Sequence, residues 1–250
     1  MKINVISGTA NALKYASILA RFGHSVNILK PTDQYTPCDA VVIASPIEMR
    51  KHHLMTYAKV CPVLCESPVT WCPSVKEKYP HMLAAYWLFT SAVHRLRNVT
   101  YGATYAHLWF DCRRRDLQDC SDLHGLREMV TALYLFGSLQ DSKVFRRRVD
   151  GGDVIVALCC HKSGVLSTIN YGNHSISYER GIRIMYNSGK VEQVTWDSPD
   201  VNDNIYRKMI SHWLRAIKDQ GIEWPTLALG YEAYLTIKHG EEQHEFEIPE

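Results

Sequence analysis

In Asp122-Leu123-His124-Gly125-Leu126-Arg127 an imidazole stands three positions ahead of a guanidinium. A histidine titrates close to neutral pH and suits general acid/base work. An arginine holds an anion more readily than it moves a proton. The same stretch also reads as a plain helix start, with Ser121 or Asp122 as its N-cap. His52 and His53 follow Ser45-Pro46 and read as surface residues or as supports behind a site. The eight cysteines (Cys38, Cys61, Cys65, Cys72, Cys112, Cys120, Cys159 and Cys160) include no C-x-x-C pair. Cys61, Cys65 and Cys72 with His81 match no common zinc spacing, so buried free thiols are expected. Arg113-Arg114-Arg115 and Arg146-Arg147-Arg148 would grip phosphates of a nucleotide sugar or nucleic acid, or form a solvated strand edge. With no aromatics interleaved, the edge is the expectation.

Charge and composition exclude several classes. The 28 Lys+Arg against 26 Asp+Glu leave a net +2, which disfavours a nucleic-acid partner. At 46% hydrophobic and 22% charged, the 250 residues are ordinary globular material, enough for one large domain or two small ones with their own cores. No apolar run approaches the roughly 18–20 residues of a membrane span, so no membrane partner is expected. The opening Met1-Lys2-Ile3-Asn4-Val5-Ile6 is too short for a signal-peptide core and reads as a strand. A cytoplasmic protein is the expectation.

The elements that must position these groups alternate. Ile3–Ile6 predicts a strand, Leu13–Phe22 a helix stopped by Gly23, Val26–Leu29 a second strand and Asp39–Ala44 a third. The last is a continuous apolar run, suited to a parallel sheet covered on both faces. Ser45-Pro46 opens a helix to about Lys59, and Pro62–Cys65 is a fourth strand. Such an alternation means an α/β layer. In that layer a glycine turn after the first strand seats a dinucleotide pyrophosphate on a helix N-terminus. Here the turn Ser7, Gly8, Thr9, Ala10, Asn11, Ala12 puts Ser7, Thr9 and Ala12 in the three glycine slots. Each is small, and none is glycine.

Asp39-Ala40-Val41-Val42-Ile43-Ala44-Ser45-Pro46, followed by Val63-Leu64-Cys65-Glu66-Ser67-Pro68, resembles the D-A-V-x-I-A-T-P and V-L-C-E-K-P motifs of the Gfo/Idh/MocA oxidoreductases. The resemblance continues at Ala85-Tyr86-Trp87-Leu88-Phe89, and at Glu128 to Gly137, where the family has an H-E-x-x-D helix ending W-L-F-G. The helices Tyr206 to Lys218 and Leu227 to His239 match the family's last two. The resemblance implies NAD(P) as cofactor, held by Ser7 to Ala12, Ser45, Pro46 and Glu66. It implies a small-molecule substrate faced by His124, Arg127 and Tyr86, with His124 as acid/base and Tyr86 as a phenol on a cleft-facing strand. It also implies a homodimer or larger homo-oligomer paired through an open sheet.

Departures from the family pattern bear on the chemistry. Ser67 stands where the family keeps its lysine, and Arg127 and Val130 stand where it keeps His and Asp. The acidic residue that grips the adenosine ribose is replaced around Lys30-Pro31; a Lys30 facing a 2′-phosphate would favour NADP. Only nine residues separate Leu29 from Asp39, where relatives insert a helix and a strand. Weak or absent NAD(P) binding is therefore expected. The overall expectation is an α/β fold: a truncated Rossmann-like parallel sheet over residues 1–97, then an α+β substrate and oligomerisation domain over 98–250. In the latter, Tyr101–Phe110, Val154–His161, Gly164–Tyr171, His174–Tyr178, Ile182–Tyr186 and Val191–Trp196 read as a largely antiparallel open sheet. The expected activity is oxidation or reduction of a sugar-like or nucleotide-linked small molecule. The alternative is a non-redox descendant, either a binding or assembly subunit or an enzyme of another reaction.

Overall fold

A computed structural model describes residues 1–72, 78–98, 100–111, 125–149, 152–172, 179–195, 203–219 and 221–241. The chain divides into two compact units, Met1–Phe89 with Val201–Tyr231, and Thr90–Asp200 with Glu232–Glu250. The sequence reading drew one boundary at residue 97 and two consecutive pieces. Here a late segment clusters with the first unit.

The first unit is built on strands β1 (Lys2–Ser7), β2 (Ser25–Leu29), β3 (Ala40–Ala44), β4 (Val63–Cys65) and β5 (Met82–Leu83). All pair in parallel, in the order β2-β1-β3-β4-β5. Every residue of β3 is buried, as an apolar run sandwiched in a parallel sheet requires. Helix α1 (Asn11–Arg21) buries Ala12, Tyr15, Ala16 and Leu19, one face at helical spacing. It ends where Gly23 takes φ +79, a conformation that costs other residues a Cβ clash. Helix α2 is Ile47–Tyr57. The segment Tyr86–Phe89 is a short 3-10 helix, not the strand expected there. Helix α5 (Asp203–Lys218) packs on α1 and on this 3-10 turn. Its stripe Tyr206, Met209, Ile210, Trp213 and Leu214 is buried, each side chain contributing on the order of 1.5–3 kcal/mol.

The second unit carries α3 (Ser91–Arg97), α4 (Leu126–Phe136) and a six-stranded sheet. Its strands are β6 (Ala103–Asp111), β7 (Leu139–Val149), β8 (Gly152–His161), β9 (Leu166–Gly172), β10 (Glu179–Tyr186) and β11 (Val191–Thr195), in the order β11-β10-β6-β9-β8-β7. The β6–β9 pair is parallel and the other neighbours are antiparallel. The architecture is thus the expected one, a parallel Rossmann-like sheet followed by a largely antiparallel sheet. Helix α4 packs on β6 and β9. Ala106, Leu108 and Phe110 are buried while the alternating His107 and Trp109 are only partly so. Arg146, Arg147 and Arg148 lie in β7, an edge strand. Arg113-Arg114-Arg115 and the expected strand His174–Tyr178 lie outside the described residues, and so does Trp196. Helix α6 (Leu227–Glu241) runs from the first unit's last segment into the second's. Among the described residues no helix is long and apolar enough to cross a membrane.

Candidate functional site

In the parallel sheet the chain leaves β1 toward β2 on one side and returns to β3 on the other. That reversal is a switch point, and the crevice beyond the carboxyl ends of β1 and β3 is where such sheets bind ligands. The residues at those ends are Ser7 and Gly8 after β1, Ser45 and Pro46 after β3, and Glu66 after β4. The fold therefore gathers most of the cofactor-side residues named from the sequence.

Their contacts are mostly with one another. A Cβ built on Gly8 would sit 2.2 Å from Pro46 Cδ and 3.0 Å from Ser45 Cα. Gly8 is needed for the close approach of these two turns. The turn places Asn11 in the first turn of α1, where Asn11 Nδ2 donates to Glu66 Oε1 at 2.9 Å. Asn11 Oδ1 accepts from the Tyr206 hydroxyl at 3.2 Å. Glu66 is 6% exposed, and its Oε2 meets Arg50 Nη2 at 3.3 Å. The Arg50 guanidinium also donates to the carbonyls of Ser45 (2.9 Å), Glu66 (3.3 Å) and Pro68 (3.3 Å). The Tyr15 phenol is held well above its usual pKa by burial and then by the Glu66 charge. A buried carboxylate is tolerable only with such a full set of donors.

Tyr86 closes the same cluster. Its ring stacks on Tyr206 at 4.8 Å and 19°, and Tyr206 lies 5.7 Å from Tyr15. The Lys14 ammonium sits 4.6 Å from the Tyr206 ring centre. Tyr86 is 9% exposed and belongs to the 3-10 turn, so it is a packed phenol and not a strand residue.

Of the two histidines read as surface residues or supports, His53 stands behind Ser45. It is buried, with Nδ1 2.9 Å from Ser45 Oγ and Nε2 2.9 Å from the Pro31 carbonyl. Since that carbonyl can only accept, Nε2 carries the proton and the Ser45 hydroxyl donates to Nδ1. Burial is the main reason the His53 pKa is lowered, which keeps the ring neutral. The i, i+8 separation of Ser45 and His53 gave no signal, because a helix start lies between them. His52 is exposed. Lys30 is exposed too, and its N–H donates to Asp33 Oδ2 at 2.7 Å, so the carboxylate nearest the end of β2 caps its own turn.

Arg127, expected from the sequence to face the substrate, is exposed on α4 in the second unit. The adjacent Glu128 is buried and ion-paired with Arg180 of β10 at 2.8 Å, fastening the helix to its sheet. His124 lies outside the described residues. Among the described residues no group of three or more His, Cys, Asp or Glu could hold a metal ion.

No protein-family model and no curated protein sequence matches the chain. Solved structures do match its fold along almost the whole length. A probable dehydrogenase from Thermotoga maritima superposes with TM-score 0.76 at 13% identity, over 98% of each chain. A UDP-N-acetylglucosamine 3-dehydrogenase from Acidithiobacillus ferrooxidans gives 0.75 at 14%, over 96% of each chain. A putative myo-inositol dehydrogenase from Sinorhizobium meliloti gives 0.72 at 13%, over 98% of each. At such identity the likeness is one of fold.

Proposed function

We propose that the chain is an oxidoreductase of the Gfo/Idh/MocA kind, acting on a sugar-like or nucleotide-linked small molecule and holding NAD(P) only weakly. The fold it shares with dehydrogenases of a nucleotide sugar and of an inositol supports the class. The observation that carries the reading is Glu66, at the carboxyl end of β4, in the position of the family's glutamate.

The weak hold follows from the fit of the residues to a dinucleotide, which is poor. Where a pyrophosphate would lie over the first turn of α1, Asn11 is engaged with Glu66 and Tyr206. Gly8 is closed down on Pro46. In this reading Ser7 to Ala12, Ser45 and Pro46 line the cleft, and Lys30 favours a 2′-phosphate. Arg127 holds an anionic substrate group, and His124 exchanges the proton of the reacting hydroxyl.

A second reading, a non-redox descendant that binds a ligand or assembles with a partner, is favoured by one observation. The Arg50–Glu66–Asn11–Tyr206 chain engages the Asn11 and Glu66 side chains of the switch point internally. Turnover separates the two. With millimolar NADP+ or NADPH and a panel of nucleotide sugars and polyols, the first reading expects a change in nicotinamide absorbance that His124→Ala cuts by at least about 100-fold. No turnover with any member of the panel would favour the descendant.

A further inference from the structure

At the amino-terminal edge of the parallel sheet, opposite the switch point, two cysteines come together from different connections. Cys38 precedes β3 by two residues and Cys61 precedes β4 by two. The strands pair in parallel with Val41 opposite Val63, and the Val41 N–H donates to the Pro62 carbonyl at 3.0 Å. This register brings the two lead-in segments side by side, so that Cys38 and Cys61 come from neighbouring stretches of chain and influence each other's titration. Tyr35, three residues before Cys38, and Tyr57, four before Cys61, have ring centres 5.2 Å apart. Cys61 is 2% exposed and its sulfur lies 3.7 Å from the Tyr57 carbonyl, while Cys38 is partly open to solvent.

We propose that Cys38 and Cys61 form a redox-active dithiol, Cys38 being the entry thiol and Cys61 the resolving one, which closes to a disulfide by exchange with a small-molecule disulfide. The asymmetry of exposure sets the order of events, because only Cys38 can be reached from solvent. The neighbouring Cys61 thiol holds Cys38 below its ordinary pKa, against the opposing effect of burial, and is itself pushed up, so Cys38 is the richer in attacking thiolate. The Cys38 thiolate attacks one sulfur of the small disulfide, whose S–S bond breaks and releases one thiolate. A mixed disulfide remains on Cys38. Cys61 gives its proton to solvent or to the departed thiolate and attacks the Cys38 sulfur, expelling the second small thiolate. Two cysteine thiols are oxidised by two electrons, and one small disulfide is reduced to two thiols.

The new bond would close a ring from Cys38 to Cys61 that contains β3, α2, Ser45, Arg50 and His53. It would also tether the far end of the connection whose Pro31 carbonyl holds His53. Closing a loop of this length constrains the unfolded chain and stabilises the folded one. Neither cysteine belongs to the switch-point cluster, so the inference stands or falls apart from the proposed activity.

The test is incubation of the full chain with glutathione disulfide, followed by blocking of free thiols and unreduced peptide mapping by mass spectrometry. The expected result is a Cys38–Cys61 cross-linked peptide and a Tm raised by several degrees, both reversed by dithiothreitol. In Cys61→Ser, glutathione should accumulate on Cys38 without resolving. In Cys38→Ser, oxidation of Cys61 should slow by at least about 10-fold. A glutathione adduct that persists on Cys38 in the unsubstituted chain, a bond to some other cysteine, or no loss of the two thiols would overturn the proposal.

Discussion

Arg50 Nη2 stands 3.3 Å from Glu66 Oε2, and the two side chains are only 4% and 8% exposed. The pair joins α2 to the end of β4, directly beneath the crevice where a dinucleotide would bind. A buried ion pair is held together by mutual need: removing either partner strands the other charge away from water.

Glu66→Gln and Arg50→Gln should each destabilise the fold by about 3–5 kcal/mol. The double substitution should cost clearly less than the sum, because one stranded charge is removed with the other. Urea unfolding of the four proteins measures the coupling. Additive losses would mean that the two residues act separately.

Acidification should weaken the fold through its buried histidines. Burial lowers His53, and brings His81 down to about 4. In the unfolded chain both take up a proton near pH 6.5. Between about pH 6.5 and 4 the unfolded state binds protons that native His81 refuses, so stability is full above that window and falls as pH drops through it. For His81 the loss at pH 5 is about 2 kcal/mol. Urea unfolding at pH 7 and pH 5 should show it, and His81→Gln should flatten the difference. An unchanged stability between the two pH values would count against the assignment.

Assembly is expected through the open face of the second unit's sheet. Leu158 and Leu166 on neighbouring strands are 44% and 52% exposed, and Met185 of β10 is 43% exposed. These positions alternate with buried residues, so they face away from α4. Light scattering should give a homodimer or larger, and Leu158→Lys with Leu166→Lys should dissociate it. A monodisperse monomer at micromolar concentration contradicts this.

The parallel core was legible because its signals are local. The all-apolar Ala40–Ala44 can only be a strand buried on both faces, and Gly23 marks the end of α1 unaided. β7 was legible only at Arg146 to Arg148, read as a strand edge; from Leu139 to Phe145 the charges of Asp141 and Lys143 interrupt its apolar pattern, as suits an edge strand. The 3-10 turn at Tyr86 was missed because its aromatic run also fits a strand, and only packing under Tyr206 decides. The positions of Ser45, Pro46 and Glu66 at strand ends followed from the motifs. Their partners did not. Arg50 is 16 positions from Glu66 and Tyr206 is 195 from Asn11, separations that carry no periodic signal.

With Asn11 bonded to Glu66 and Tyr206 and Gly8 closed down on Pro46, the switch point should grip a dinucleotide poorly. Calorimetric titration of the purified protein with each of the four nicotinamide dinucleotides tests it most directly. The lost charge-assisted contacts are each worth on the order of 1.5–3 kcal/mol, so a Kd above roughly 100 μM is expected for all four, with the 2′-phosphorylated pair the tighter. Submicromolar affinity for any of them would contradict it.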